Sequence, residues 1–446
     1  MPASTATLTS ALEAARERYA EINPESFRLH QEASRHLPGG NTRTVLFHSP
    51  FPLRFVHGEA CRLVDADGHE YVDFLSEYTA GVFGHSHPVI RRATEEALAF
   101  GLNMGGHTPL EIRFAEAIRS RFPTIDRVRF TNSGTEANLM AIVAARAFTR
   151  REKVLVFSGA YHGGVLYFRH GGLPVNAPFP FVLAPYNDTA ATLALVERHR
   201  GALAAILIEP MLGSGGCIPA RRDFLLTLRE AATRVGALLV FDEIMTSRLA
   251  PGGLAAVHGV APDLTTLGKY VGGGMSFGGF GGRADVMRIF DPSSPDALPH
   301  AGTFNNNTMT LCAGYRGLTE AFTPEAQIEM NTRFDRLRVR LNDCARQGHA
   351  PLQFTGIGSM MAVHFCEGEI AGEKDVDRGS ADATELFFFD LLARGFYIAR
   401  RGMIVGSLVT GDAECEAFAV AVGSFLEERG ELLSATSEPD RRAGDR

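Results

Sequence analysis

Short apolar runs alternate with helical spacing through the middle of the chain. The apolar runs predict buried strands at residues 128–131, 153–159, 204–210, 237–243 and 263–269. Apolar residues at helical spacing predict helices between them, at residues 135–149 and 224–234. Strands that alternate with helices in this way form mostly parallel sheets with helices on both faces. The pattern therefore predicts an α/β fold, in which ligands bind beyond the carboxyl ends of the strands.

The two ends of the chain carry different patterns. Leu12, Ala15 and Tyr19 lie at helical spacing, and residues 52–74 alternate like a small antiparallel element with a turn at residues 65–69. Beyond residue 325 the pattern predicts a long helix, two short stretches of strand and a further helix, at residues 326–346, 359–365, 396–405 and 414–430. The ends therefore predict a second, smaller domain.

We expect four segments along the chain. They are an N-terminal arm with part of the small domain, a large domain, a C-terminal small domain and a polar, disordered tail, at residues 1–70, 71–324, 325–435 and 436–446. The length agrees with this division, because 446 residues are too many for one simple domain.

Composition argues against several classes of protein. The net charge is −7 and the chain has no basic tail, so nothing indicates a nucleic-acid partner. No apolar run is long enough to span a bilayer, and the N-terminus lacks the apolar core of a signal peptide. The six cysteines form no CxxC pair, which argues against a zinc site or a disulfide framework. We therefore expect a cytoplasmic protein that binds neither nucleic acid nor membranes, and no metal.

Two polar segments follow predicted strands. Ser133, Gly134 and Thr135 stand between a strand and a helix, where glycine lets the backbone approach a ligand and free N–H groups bind anions. They form a candidate phosphate cradle, although the same sequence suits an ordinary helix cap. Asp242 ends the apolar run 237–242, where a carboxylate needs a cation or hydrogen-bond donors. Alternatively, Asp242 caps the segment that follows the strand.

Lys269 and Tyr161 lie at strand ends too. Lys269 follows LTTLG and precedes YVGGG, so its amine is placed to form a Schiff base in a cleft, whereas most lysines are exposed on the surface. Tyr161 follows KVLVFSG, where it is placed to stack on a flat ring or to pack in the core. Pyridoxal 5′-phosphate (PLP) needs a lysine for its imine and an acid or arginine at its pyridine nitrogen. The phosphate cradle, Tyr161, Asp242 and Lys269 together therefore predict a PLP site.

Motifs over nearly the whole chain resemble one enzyme family. They are PGGNTRTVLF, YVDFLSEYTAGVFGHSHP, FTNSGTEANLMA, YHGG, EPMLGSGG, VFDEIMTSR, LTTLGKYVGGGMSFGGFGGR and AGTFNNN. They resemble class III aminotransferases of PLP fold type I, including glutamate-1-semialdehyde 2,1-aminomutase, and most of all the aromatic β-amino acid (β-phenylalanine) aminotransferases. The resemblance implies a large domain with a mostly parallel central sheet flanked by helices, and a smaller α+β domain built from both termini.

The resemblance also implies how the cofactor is held. Lys269 binds PLP covalently and later moves the proton between the substrate carbon and the cofactor. Asp242 pairs with the pyridine nitrogen, and Ser133, Gly134 and Thr135 bind the phosphate.

Four further residues surround the cofactor by the same resemblance. Tyr161 stacks on the ring, Met245 lies on its other face, and Glu209 lies close by. Thr303, in AGTFNNN, reaches the phosphate of the neighbouring subunit. The resemblance therefore implies a homodimer with shared active sites.

Two arginines are candidates for the substrate carboxylates. The resemblance assigns this task to Arg43 and Arg401, with Tyr78 lining the substrate pocket. A guanidinium binds a carboxylate through two parallel hydrogen bonds, which suits arginine to the task. Each arginine alternatively lies on the surface, and Arg400 is able to take the place of Arg401.

The leading hypothesis is transfer of an amino group from an aromatic β-amino acid to a 2-oxo acid, either 2-oxoglutarate or pyruvate. The alternative is an aminomutase. That enzyme usually carries a Trp in the segment that corresponds to SEYTAG and lacks the paired arginines, whereas this chain has no Trp. A PLP-binding transcription regulator needs a DNA-binding domain for which the arm leaves no room. A nicotinamide-binding domain needs a GxGxxG after a first strand, and none is present.

Overall fold

The computed structural model describes residues 7–435, so the predicted disordered tail at residues 436–446 lies outside the described residues. The strands are β1 (Phe55–Glu59), β2 (Arg62–Asp65), β3 (Glu70–Asp73), β4 (Arg127–Thr131), β5 (Lys153–Phe157), β6 (Phe181–Ala184), β7 (Leu203–Ile208), β8 (Met211–Leu212), β9 (Ile218–Pro219), β10 (Leu238–Asp242), β11 (Leu264–Gly268), β12 (Gly278–Gly282), β13 (Gln353–Ile357), β14 (Met360–His364), β15 (Phe396–Tyr397) and β16 (Met403–Val405).

Helices connect and flank these strands. They are α1 (Leu8–Ile22), α2 (Pro24–Ala33), α3 (Pro88–Phe100), α4 (Pro109–Arg121), α5 (Gly134–Thr149), α6 (Thr189–Arg198), α7 (Arg222–Val235), α8 (Gly253–His258), α9 (Ala284–Met287), α10 (Thr308–Arg316), α11 (Pro324–Gln347), α12 (Glu373–Val376), α13 (Ala381–Ala393) and α14 (Asp412–Ala435). None of the helices described between residues 7 and 435 has the length and apolar character needed to cross a bilayer.

A seven-stranded sheet forms the centre of the larger part of the molecule. Its order is β4-β12-β11-β10-β7-β5-β6. All its strands run parallel except β12, which is antiparallel to both of its neighbours. Every residue of β7 and β10 is buried, as expected for strands covered by helices on both faces. The predicted mostly parallel sheet is therefore confirmed.

Parallel strands bring their carboxyl ends to one edge of the sheet. Asp242 at the end of β10 lies beside Thr266 of β11, and Phe241 lies beside Ile208 of β7. Because β4 and β5 end at the same edge, the segments that follow five strands meet there. Every strand-end candidate from the sequence lies on one of these segments.

A smaller part of the molecule joins the two ends of the chain. The strands β1, β2 and β3 form an antiparallel ribbon, and β15 pairs with β3 in parallel, with Phe396 opposite Val72. A second small sheet has the order β13-β14-β16, and α1 packs on α13 while α11 packs on α14. Both ends of the chain therefore build the smaller α+β part, although the domain boundaries at residues 70 and 324 stay predictions.

One buried arginine ties the two parts together. Arg248, which follows β10, is fully buried, and its guanidinium donates to the Thr79 carbonyl and the Ser359 hydroxyl, both at 3.2 Å, and to the Gly406 carbonyl. Asn331 on α11 donates to the Arg248 carbonyl at 2.9 Å. Burial lowers the pKa of Arg248 to about 9. The arginine therefore fixes the segment around Thr79 against the small sheet.

Gly278 and Gly279 are neighbours in β12, but a methyl group at each position meets different surroundings. A Cβ at Gly278 would lie 2.0 Å from the Ser133 carbonyl oxygen, whereas the nearest atom to a Cβ at Gly279 is Phe277 Cζ at 3.2 Å. We expect Gly278→Ala to lower the free energy of unfolding by about 1–3 kcal/mol and Gly279→Ala by less, since only at Gly278 would the methyl group clash with rigid backbone. Urea denaturation measures both, and equal losses in the two variants would contradict this packing.

Candidate active site

A cavity of about 380 Å³ opens at the carboxyl ends of the central strands. It gathers ten of the predicted site residues: Arg43, Tyr78, Ser133, Gly134, Thr135, Tyr161, Glu209, Asp242, Met245 and Lys269. A larger depression of about 850 Å³ lies at the amino end of β4 and contains none of them. The chemistry predicted from the sequence therefore converges on the smaller cavity.

The cradle segment begins helix α5. The Ser133 hydroxyl accepts from the Glu136 N–H at 3.2 Å, so Ser133 is the helix cap as well as part of the cavity wall. A Cβ at Gly134 would lie 2.6 Å from Ile244 Cδ1, so only glycine fits there without a shift. The Thr135 hydroxyl accepts from the Gly164 N–H at 3.2 Å. A 16-residue helix thus directs its N-terminus at the cavity, which suits an anion such as phosphate.

The carboxylate of Asp242 is only 4% exposed and is held by three donors. Its Oδ2 accepts from Asn138 Nδ2 at 2.7 Å and from His162 Nδ1 at 2.8 Å, and its Oδ1 accepts from the Ile244 N–H at 3.0 Å. A carboxylate here can only accept, so His162 carries its proton on Nδ1. The acid is therefore held rigidly at the cavity floor.

The side chains of Asn138, His162 and Thr266 belong to this network and had no predicted role. Asn138 also donates to the His162 carbonyl at 2.8 Å, and its Oδ1 accepts from the Thr266 hydroxyl at 2.8 Å. Asn138 and His162 both lie within motifs of the sequence, TNSGTEAN and YHGG. In the sequence, Asn138 lies on the apolar face of a predicted helix, and a buried amide needs hydrogen-bond partners. This position therefore indicates a buried polar network.

Lys269 follows β11 in a left-handed conformation, with φ of +55°. Its Nζ donates to the Tyr78 carbonyl. Burial, with a smaller contribution from Arg401, lowers the pKa of Lys269 to about 8, whereas Asp242 and Glu77 oppose the shift. An amine with this pKa is neutral in about a tenth of molecules at pH 7, far more than an ordinary lysine, so it is a better nucleophile.

The chain contains only three lysines. Lys153 starts β5, at the opposite edge of the sheet, and lies 3.2 Å from His199 Nδ1. Lys374 lies on the short helix α12. Lys269 is therefore the one lysine of the sequence that lines the cavity.

The next group flanks the cavity from the side of β5 and β7. The Tyr161 N–H donates to Glu209 Oε1 at 2.8 Å, and the Gly213 N–H donates to Glu209 Oε2 at 2.9 Å. Burial raises the pKa of Glu209. The Tyr161 ring is half-buried, and Met245 lies so close to Gly213 that a Cβ there would be 2.5 Å from its sulfur. Glu209 thus fixes the backbone that carries Tyr161.

Residues 76–79 form a left-handed turn at the cavity mouth. Ser76, Glu77, Tyr78 and Thr79 have φ values of 45°, 47°, 51° and 82°. Such a conformation costs about 1–2 kcal/mol per residue outside glycine, so other contacts must hold it. The Tyr78 carbonyl accepts from Lys269, and the Thr79 carbonyl accepts from the buried arginine. The turn presents the Tyr78 ring and the Glu77 carboxylate to the mouth of the cavity.

Arginines approach the Tyr78 ring from two distant segments. The guanidinium carbon of Arg43 lies 5.9 Å and that of Arg401 5.0 Å from the ring centroid. Arg43 forms an ion pair with Glu77 at 2.8 Å, whereas Arg401 lines an adjoining cavity of about 350 Å³. Arg400 is bound instead by Glu385 at 3.1 Å. The ring of Tyr78 therefore marks where two candidate carboxylate sites meet.

Besides Arg401, Thr303 is the predicted residue that does not line the cavity. Its side chain is exposed and does not line the cavity of its own chain. The loop that contains it is nevertheless tied to the cradle, because Asn132 Nδ2 donates to Asn305 Oδ1 at 3.0 Å. The predicted contact of Thr303 with a neighbouring subunit stays a prediction.

The chain matches known enzymes over most of its length. The family model of aminotransferase class-III matches residues 47–417. A β-phenylalanine transaminase of Variovorax paradoxus is 53% identical over 429 residues, which cover 96% of this chain and 98% of the relative. A glutamate-1-semialdehyde 2,1-aminomutase of Sorangium cellulosum is 38% identical over 85% of this chain and 90% of the relative. The resemblance inferred from the motifs is therefore confirmed.

Solved structures agree with the sequence relatives. The crystal structure of the Variovorax paradoxus β-phenylalanine aminotransferase matches with a TM-score of 0.94 and 52% identity, over 95% of this chain and 99% of that one. A transaminase with PLP bound matches with a TM-score of 0.84 and 32% identity, over 93% and 99%. The fold is thus that of PLP enzymes of type I, as predicted. The chain belongs to the class III aminotransferase family and is a PLP-dependent aminotransferase.

Proposed function

We propose that this aminotransferase moves the amino group of an aromatic β-amino acid to a 2-oxo acid, either 2-oxoglutarate or pyruvate, by a ping-pong mechanism. The observation that carries the proposal is the approach of Arg43 and Arg401 to the Tyr78 ring at the mouth of the cavity that holds Lys269. The 53% identity to a relative named β-phenylalanine transaminase supports the same substrate class.

The residues around the cavity suit PLP. In the proposal, Ser133, Gly134 and Thr135 hold the phosphate at the N-terminus of α5. Asp242, held in place by its three N–H donors, would pair with the pyridine nitrogen. When bound, PLP supplies an electron sink for the electrons released when a substrate C–H bond breaks.

Other residues position the ring and move the proton. Tyr161 and Met245, which both line the cavity, would flank the ring, and Glu209 steadies Tyr161 through its backbone N–H. The Lys269 amine anchors the cofactor covalently. With substrate bound, Lys269 Nζ would be the group that takes the proton from the amino-bearing carbon, a task favoured by its lowered pKa.

The two arginines answer a problem of substrate geometry. A β-amino acid carries its carboxylate one carbon farther from the amino-bearing carbon than an α-amino acid does. One fixed carboxylate site therefore cannot serve both the donor and the 2-oxo acid equally well. We propose that Arg43 holds the carboxylate of the β-amino acid, and that Arg401 serves the acceptor and swings away to admit an aromatic ring. Beside Arg401, the adjoining cavity offers space for that movement.

We further propose a homodimer in which Thr303 contacts the phosphate of the neighbouring subunit. Its exposure beside a loop tied to the cradle supports this arrangement. A cytoplasmic location is also part of the proposal, supported by six cysteines that are all free of disulfides.

Lys269→Ala should abolish both turnover and covalent attachment of PLP. Borohydride reduction of the holoenzyme followed by peptide mapping should place the pyridoxyl label on Lys269, and three lysines make the map unambiguous. Lys153→Ala and Lys374→Ala are matched controls that should keep both properties. A label on either of those lysines would show that Lys269 is not the attachment site.

The uptake of PLP by the apoenzyme should depend on the protonation of Lys269. Only the neutral amine attacks an aldehyde, so the rate should rise with pH through about 8, the lowered pKa of this lysine. Arg401→Ala removes a neighbouring positive charge and should move the midpoint to higher pH. Stopped-flow absorbance over roughly pH 6 to 10, which spans that pKa on both sides, follows the reaction. A midpoint that stays fixed in the variant would contradict this coupling.

Arg43→Ala should lower kcat/KM for β-phenylalanine by about 30-fold to 1000-fold, the loss expected for a charge-assisted bidentate contact. The loss should be far smaller for 1-phenylethylamine, which has no carboxylate. Arg401→Ala should harm 2-oxoglutarate more than β-phenylalanine. Arg400→Ala is the matched control, because Glu385 binds that guanidinium.

Two outcomes would count against this assignment. Equal losses for every substrate in both variants would indicate that the arginines support the structure and not selectivity. Rearrangement of glutamate-1-semialdehyde by the wild type, without turnover of β-phenylalanine, would favour the aminomutase.

Subunit mixing tests the shared site. Thr303→Ala should weaken PLP binding by about 10-fold or more, as expected for a lost hydrogen bond to a charged group. Heterodimers of a Thr303→Ala chain with a Lys269→Ala chain should regain one intact site if Thr303 acts across the interface. Heterodimers of wild type with the double variant should not. Equal activity of the two mixtures, or an active monomer in sedimentation, would refute the shared site.

A further inference from the structure

Glu77 forms an ion pair with Arg43, the arginine that the proposed function assigns to the substrate carboxylate. Its Oε1 lies 2.8 Å from Arg43 Nη1, and both side chains line the cavity. We propose that Glu77 sets substrate selectivity by competing with the substrate carboxylate for Arg43, so that it weakens binding of acids and favours amines that lack a carboxylate. This inference rests on the proposed role of Arg43.

The backbone places Glu77 there at a cost. The residue has a φ of 47° within a run of four left-handed residues, a conformation that non-glycine residues rarely adopt. Arg248 holds the turn through the Thr79 carbonyl, and Lys269 holds it through the Tyr78 carbonyl. Because the carbonyls of Tyr78 and Thr79 are both fixed, the backbone holds Glu77 within reach of Arg43.

The balance of charge depends on what enters the cavity. With an amine substrate, Glu77 stays paired with Arg43, and the guanidinium is already compensated when an uncharged group lies beside it. With an acid, two carboxylates meet one guanidinium, and their repulsion opposes binding. Arginine has five N–H donors and is able to contact both, so the competition weakens binding without preventing it.

The solvent exposure of Arg43 and Glu77 sets the size of the effect expected on substrate binding. The side chains of Arg43 and Glu77 are 45% and 57% exposed, so solvent screens their interaction. Exposed ion pairs change equilibria by about 2-fold to 5-fold, and we expect effects of this size. The effects on acids and on amines have opposite signs, so their ratio changes by more than either one.

Glu77→Gln keeps the shape of the side chain and removes its charge. Calorimetric titration of the holoenzyme with 3-phenylpropanoate, a carboxylate of the β-amino acid spacing without the amine, should give a Kd about 2-fold to 5-fold lower than in the wild type. The neutral analogue 3-phenylpropanol should gain nothing. The kcat/KM for 1-phenylethylamine should fall by about the same factor, because Arg43 is then uncompensated.

Two further variants sharpen the test. Glu25→Gln breaks an exposed pair with Arg28 on α2 and should change none of these values. Glu77→Ala removes the acceptor along with the charge and should act in the same direction as Glu77→Gln. In an Arg43→Ala background, the Glu77→Gln effect on 3-phenylpropanoate should vanish.

The outcomes separate this inference from the proposed function. An unchanged or higher Kd for 3-phenylpropanoate in both Glu77 variants would overturn the competition and assign Glu77 to holding Arg43 in place. A wild type that does not turn over β-phenylalanine would refute the proposed function instead. In that case a lower Kd in the variants would still show that Glu77 competes with carboxylates for Arg43.

Discussion

A carboxylate buried at the end of a central strand has to be met by donors, and much of this active site follows from how the chain meets that need for Asp242. An unpartnered charge in that position is far too costly to persist. The donors come from Asn138 on α5, from His162 after β5 and from the backbone of Ile244 after β10. Asn138 in turn binds Thr266 on β11. One acid thus fixes the helix that begins at the cradle, the loop that carries Tyr161, and the strand that ends before Lys269.

The substrate side of the cavity is built on a different principle. A left-handed turn at residues 76–79 is strained by itself, and it persists because Arg248 and Lys269 bind its carbonyls. Arg248 also binds the small sheet, so the turn that faces the substrate is set by the contact between the two parts of the molecule. Rigid carbonyls and an exposed ion pair, Arg43 with Glu77, therefore lie side by side. The Tyr78 carbonyl holds the lysine, whereas the ion pair is exposed to solvent.

The sequence predicted what is local or periodic. Apolar runs identified β4, β5, β7, β10 and β11, and the residues that follow them converge on the cavity because parallel strands end at one edge. The strand β13 escaped prediction, since Gln353–Ile357 is only half-buried and has no apolar run. Partners remote in sequence escaped too. Nothing in SEYT indicates four left-handed residues, and nothing near Arg248 indicates a carbonyl 169 positions away.

Arginine and lysine side chains are suited to different tasks in this chain, the first to binding and the second to catalysis. Almost all of the 44 lysines and arginines are arginines, which are charged near neutral pH and are therefore suited to holding carboxylates. A nucleophilic amine has to be able to lose its proton, and lysine does so far more readily than arginine. The sequence contains three lysines, and for the one that lines the cavity, desolvation and the charge of Arg401 together lower the pKa to about 8. The same arginine that is proposed to receive the acceptor thus also helps lower the pKa of Lys269, so substrate recognition and the reactivity of the amine are coupled through a single positive charge.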